Sequence, residues 1–306
     1  MRGLLTVCVV ICCTTRLAFA LQNRFQARQS CLSLAQVSKA LWDNDVHRMS
    51  SGDIILNYQN QVSSSDKTDK AGQKLFASVN ENKLAGPTYK TLLALLDNYV
   101  PDKGVKESLT TTESNENTAF LNAILNTSVM NVLLNYLQCR GFVTNQDGLR
   151  SVLTKIWFDF YPRSGSSTVT DTSGFEHIIA GEYKSSTEVN GFHNWVSFYH
   201  KEKAGHVNYY GYVSKAEPRL IGAMFNWNNR IKSLGSLFIG VSPEFDIAIY
   251  TLCYFTNPNK RCPVVLDGRT INIQTYDTAG HISTAYPEVP SSKRKSYRAR
   301  PVHRAP

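Results

Sequence analysis

Apolar residues recur at helical spacing through the first half of the chain and at period two through the second. Leu34, Val37 and Leu41 lie three and four residues apart behind Ser33, which predicts a capped amphipathic helix. Pro87-Thr88 opens a second helix with Leu92, Leu96 and Tyr99 on one face. Phe120, Ile124, Met130, Leu133 and Leu137 mark a third. The polar stretches 63–70 and 103–117, the latter with Thr110-Thr111-Thr112, read as loops. Beyond residue 150 tyrosine, valine, isoleucine and glycine become dense, and 177–183, 207–213, 270–276 and 282–289 read as strands. Ser242-Pro243-Glu244 starts a further helix, continued by Phe245, Ile249 and Leu252. The pattern predicts an α+β fold: a helical lobe over 21–150, then a lobe of antiparallel β-sheets with flanking helices over 151–290.

The ends change the picture. Arg2, the apolar run from Leu4 to Cys13 and Ala18-Phe19-Ala20 have the form of a secretory signal over residues 1–20. Its apolar core is too short to span a bilayer, and no later stretch qualifies either. A soluble, secreted, extracellular protein that passes through the endoplasmic reticulum is therefore expected. The formal charge of +9 is mostly terminal. Arg2 and Arg16 leave with the signal, and six lysines and arginines lie in 291–306, a basic tail without an acid. Without them the folded body carries about +1. Such a tail reads first as a solvated, disordered terminus that attracts polyanions without sequence preference.

Four cysteines remain in the mature chain: Cys31, Cys139, Cys253 and Cys262. An even count in a secreted chain suggests two disulfides, and sequence alone allows three pairings. Cys253 and Cys262 flank Asn257-Pro258-Asn259, a turn, which favours a local bridge and leaves Cys31 with Cys139. Asn126-Thr127-Ser128 is an N-glycosylation sequon at Asn126, inside a helical pattern.

The chain has seven histidines. Histidine titrates near neutrality and suits proton transfer. Two stand out by context: His177 in Gly174-Phe175-Glu176-His177, and His193 in Gly191-Phe192-His193-Asn194-Trp195, each expected near a strand end. Gly181 and Gly191 flank a segment that reads as a hairpin connection, which would bring the two histidines side by side. No serine or cysteine triad, P-loop or zinc-protease helix is present. Metal ligation by His177 and His193 with Glu176 or Glu182 is an alternative reading of the same residues.

These stretches closely resemble the EndoU family of poly(U)-specific endoribonucleases. The resemblance extends to Phe225-Asn226-Trp227 followed by Lys232, to 239–245, to Thr284-Ala285-Tyr286, and, in the first half, to 41–45, 87–89 and 95–99. It covers roughly residues 30–287 in order. It implies an endoribonuclease acting on single-stranded RNA at uridylates, in which the ribose 2′-OH attacks and the products are a 2′,3′-cyclic phosphate and a 5′-OH. By the same resemblance His193 is the general base, His177 the general acid and Lys232 the electrostatic stabiliser. Ser236 and Tyr286 then read and stack the base, and Thr284 shapes that pocket. Glu176 and Glu182 flank the acid histidine and are expected to orient it, to raise its pKa or to help bind a cation. Asn194 is expected to hold the His193 segment, and Trp195 and Trp227 to lie in the core. The family further implies a divalent cation, Mn2+ or Ca2+, at no locatable site. A monomer is expected. The rival reading is a catalytically silent secreted protein of the same fold that binds RNA or other polyanions.

Overall fold

The computed structural model describes residues 31–163, 167–217 and 219–290; the expected signal and basic tail lie outside the described residues. Ser33 caps α1 (Leu34–Asp43) reciprocally, its hydroxyl accepting from the Gln36 amide while the Gln36 side chain accepts from the Ser33 amide. A short antiparallel pair follows, β1 (Ile54–Leu56) and β2 (Phe76–Val79), then α2 (Glu81–Leu84). Pro87 sits in the first turn of α3 (Pro87–Ala94), as its fixed φ favours. This helix ends before Leu96 and Tyr99, which the spacing had placed on it.

Two expectations for the first half are corrected. The polar stretch read as a loop up to residue 117 contains the start of α4 (Thr111–Leu125), capped by Thr110 and Glu113. Its first turns are polar because they face solvent, and the capping pair outweighs the run of threonines. The single third helix is two, α4 and α5 (Ser128–Cys139), which meet at 84°. Thr127 makes the corner: its hydroxyl donates to the Ile124 carbonyl and accepts from the Met130 amide. Asn126, the sequon residue, is exposed at this break rather than inside a helix. α6 (Gln146–Leu153) then runs into a π-helical turn, π1 (Thr154–Phe158).

The second half opens with another π-helical turn, π2 (Glu176–Ala180), where a strand had been expected. Only Glu182–Tyr183 is extended, as β3, and it pairs with β4 (Val189–Asn190) in the expected hairpin. α7 (Trp195–Lys203) leads into an antiparallel meander of β5 (Val207–Ala216), β6 (Leu220–Trp227) and β7 (Arg230–Phe238). α8 (Pro243–Thr256), capped by Ser242 with proline in its first turn, leads into a second meander of β8 (Arg261–Leu266), β9 (Arg269–Thr278) and β10 (His281–Pro287). Among these strands β6 escapes period-two reading because nearly all of it is buried, so no polar face alternates with the apolar one. β10 packs against both β7 and π2, which brings the two meanders and the π-turn together. The architecture is α+β, as expected.

Helical first half and sheet-rich second half share one hydrophobic core, running from Val37 to Ala285 and including Trp195 and Trp227. The disulfides are Cys31–Cys139, with 108 residues of separation, and Cys253–Cys262, with nine. No single helix among the described residues is long and apolar enough to cross a membrane. The bent pair α4–α5 reaches that length and composition only when its two helices are taken together, and its apolar residues lie in the core.

Cross-linking a long loop restricts the unfolded chain more than cross-linking a short one. Replacing both Cys31 and Cys139 by serine is therefore expected to lower unfolding stability by about 2–4 kcal/mol, read by urea denaturation. An unchanged midpoint would show that the tether from Cys31 to the end of α5 adds nothing.

Candidate active site

Ser173 caps the turn that presents His177: its hydroxyl accepts from the Glu176 amide, and its carbonyl accepts from the His177 amide. The turn then widens to π geometry, closed by Gly181 N–H donating to the Glu176 carbonyl at 2.7 Å. Single π-turns recur at functional sites because the extra residue re-aims a side chain. Here His177 is buried to 8% exposure, yet it lines a groove. Its Nδ1 lies 2.8 Å from Oε2 of Glu182 and its Nε2 lies 3.1 Å from the Thr284 hydroxyl. Glu182 is fully buried, and its other oxygen meets the Arg163 guanidinium and the Thr172 hydroxyl. That carboxylate fixes Nδ1–H of His177 toward itself, turns Nε2 to the groove and compensates positive charge on the ring.

The segment 191–193 is laid directly on this turn. The Phe192 amide donates to the His177 carbonyl at 2.9 Å, and the His193 amide to the Ile178 carbonyl at 2.7 Å. Contact this close leaves no room at Gly191: a Cβ there would sit 1.7 Å from the His177 carbonyl oxygen, and its φ is +57°. Phe192 is left-handed too, at φ +65°, unusual for a bulky residue. Such backbone costs about 1–3 kcal/mol. Its ring packs edge-on against Phe225 and Trp227, with centroids 5.1 and 5.2 Å away. Such pairs contribute about 0.5–1.5 kcal/mol each beyond their burial, enough to offset the strain.

His193, 6% exposed, donates Nδ1–H to the Ser236 carbonyl at 3.1 Å and stacks on the Tyr286 ring at 5.2 Å and 25°. Burial first, then the positive charge of Lys232, pulls its pKa well below the ordinary histidine value. It is neutral near pH 7, with the Nε2 lone pair free of the carbonyl bond. Asn194 caps α7 through its side-chain oxygen and donates its amide to Asp246 on α8, so the residue after His193 is held at both ends.

β7 supplies Lys232 and Ser236, and β10 supplies Thr284 and Tyr286. Lys232 is half-buried, and desolvation draws its ammonium down to about 8. Glu182 acts against that shift. All six of these residues line one groove of about 630 Å3. Ser236 and Tyr286 also border a second hollow of about 590 Å3, floored by Leu220, Ile271 and Pro287. One face of Tyr286 is already taken by His193.

Glu176 is not in the groove. It is fully buried, both oxygens lack partners, and burial reinforced by Glu182 pushes its pKa far up, so it is neutral. Of the remaining histidines among the described residues, His281 stacks on Tyr161 beside the groove, and His47 pairs with Glu244 elsewhere. Among the described residues no group of three or more His, Cys, Asp or Glu side chains is arranged to hold a metal ion. The cation that the sequence resemblance implies has no such side-chain group to hold it among the described residues. The sequence reading missed Arg163 and Thr172, the partners of Glu182. Their positions, 19 and 10 residues before Glu182, carry no periodic signal.

A family profile described as endoribonuclease XendoU matches residues 33–287. The chain is 42% identical over 254 residues to uridylate-specific endoribonuclease C of Xenopus laevis, covering 80% of this chain and 83% of that protein. It is 39% identical over 280 residues to uridylate-specific endoribonuclease D of the same frog, covering 86% and 91%. Among solved structures it matches that of XendoU, a splicing-independent snoRNA-processing endoribonuclease. The TM-score is 0.73 at 36% identity, over 84% of this chain and 97% of that one.

Gly191→Ala is expected to push the 191–193 segment off π2. It adds a steric clash to about 1–3 kcal/mol of backbone strain, so both the melting temperature and activity fall. A variant with wild-type melting and wild-type turnover would mean that the two segments do not depend on this contact.

Proposed function

The chain belongs to the XendoU family of endoribonucleases, and from that premise we propose that it cuts single-stranded RNA at uridylates, leaving a 2′,3′-cyclic phosphate and a 5′-OH. The observation that carries this reading is the opposite wiring of two imidazoles in one groove. His193 donates an Nδ1–H hydrogen bond to a carbonyl and is held neutral; His177 donates an Nδ1–H hydrogen bond to a buried carboxylate. A neutral ring with a free lone pair is a base, and a ring whose positive charge is compensated is an acid.

His193 Nε2 removes the proton from the ribose 2′-OH. The 2′-oxygen attacks phosphorus, and the bond to the 5′-oxygen of the next nucleotide breaks. His177 Nε2–H protonates that departing oxygen, and the Thr284 hydroxyl steadies the ring. Lys232 faces the non-bridging oxygens, where negative charge builds in a water-poor site. DNA lacks the attacking group. Uracil is placed in the hollow that Ser236 and Tyr286 share with the catalytic groove, with the serine at its edge and the tyrosine beside it. No step is routed through a metal ion. The two disulfides support passage through an oxidising compartment, in keeping with secretion.

The test is a short RNA with one uridine, incubated with residues 21–306, with manganese, calcium or chelator, and the ends identified by mass. Cleavage at the uridine with a cyclic phosphate is expected, reduced about 100- to 10,000-fold in His193→Ala and in His177→Ala. The working forms are neutral His193, protonated His177 and cationic Lys232. Activity is therefore retained as pH falls below 6.5, because His193 stays neutral there, and is lost at the latest as pH rises through about 8, where Lys232 gives up its charge. Tight RNA binding without cleavage under any of these conditions would favour the silent binding protein instead.

A further inference from the structure

Leu234 stands between the two grooves. It lies on β7 between Lys232 and Ser236, and it is 41% exposed. An exposed leucine alone says little, but two features single this one out. Lys232 pairs with Phe225 and Gly235 with Ala223, so three steps on β7 face two on β6, a bulge at Ser233–Leu234. Bulges beside active sites re-aim side chains. Leu234 is also braced: a Cβ on Gly222 would come within 2.8 Å of its Cδ1 and 3.0 Å of Val289 Cγ2, so the leucine lies over that glycine beside the valine. It borders the groove holding the histidines and the hollow assigned to uracil.

We propose that Leu234 is an apolar wedge that separates the uracil of the cut nucleotide from the base on its 3′ side. The inference rests on the functional reading above. In-line displacement needs the 2′-oxygen, phosphorus and departing 5′-oxygen close to one line. Continuous stacking of the two bases holds the 2′-oxygen off that line, and splaying them apart lets it swing in. Lys232 and Ser236 flank the leucine on its strand, one toward the phosphate and one toward the base. The ridge therefore falls at the step between the two nucleotides. Leu234 is thus a positioning residue, and it favours strands that can unstack.

The experiment compares wild type, Leu234→Ala and Leu234→Met on two short RNAs. One has its single uridine followed by adenosine; the other has an abasic ribose in place of that adenosine. Leu234→Ala is expected to lower kcat about tenfold on the adenosine RNA, with little change in KM. Its loss on the abasic RNA is expected to be several-fold smaller, since there is no base to part. Leu234→Met, close in volume, recovers most of the rate on the adenosine RNA. Thermal melts of the variants check folding, which truncating an exposed side chain leaves intact. Equal losses on both RNAs overturn the wedge, and so does a loss accompanied by relaxed preference for uridine over cytidine, which marks a pocket wall. If the wild type cuts neither RNA at uridine, the functional reading itself fails and the wedge with it.

Discussion

Two backbone hydrogen bonds hold the site together: Phe192 N–H to the His177 carbonyl and His193 N–H to the Ile178 carbonyl. They set one histidine segment on the other with no side chain in between, which is why position 191 is glycine and why Phe192 accepts a left-handed backbone. Three neighbouring features keep that contact in place. The π-turn presents the carbonyls, and the aromatic cluster behind Phe192 anchors the incoming segment. Asn194 ties its far end to α8.

With the segments fixed, the chemistry follows from what each imidazole leans on. A carbonyl accepts a hydrogen bond without adding a full charge, so His193, buried and near Lys232, stays neutral. A buried carboxylate adds a full charge, and Glu182 is itself held by Arg163 and Thr172. The two strands that complete the groove come from different meanders. β7 carries Lys232 and Ser236, and β10 carries Thr284 and Tyr286. The packing of β10 on β7 and π2 brings these four residues and His177 around one groove.

Much of this was legible in the sequence, and the exceptions have physical causes. Ser33 and Ser242 announced their helices, since a cap is local chemistry. His177, His193, Lys232, Ser236, Thr284 and Tyr286 were named from their motifs, and all six line one groove. His177 was expected beside a strand end and lies instead in a π-turn. Its neighbours Ile178 and Ile179 favour extended backbone, but capping by Ser173 and burial of the whole turn override that preference. Glu176 and Glu182 were equivalent by sequence. Both are fully buried, and partners separate them: Glu176 has none and is neutral, while Glu182 is held by Arg163 and Thr172 and grips His177. Arg163, Thr172 and Leu234 could not be found from spacing, because their roles depend on contacts across the fold and on a bulge.

The central claim is that the scissile phosphate sits among His193, His177 and Lys232 with uracil on Ser236. The most direct measurement is a crystal structure of the protein with an RNA whose single uridine is replaced by 2′-deoxyuridine, which binds but cannot be cut. The account predicts the phosphate within hydrogen-bond reach of His193 Nε2, His177 Nε2 and Lys232 Nζ, and the uracil edge at Ser236. A phosphate bound away from both histidines, or a uracil outside the hollow shared by Ser236 and Tyr286, would contradict it.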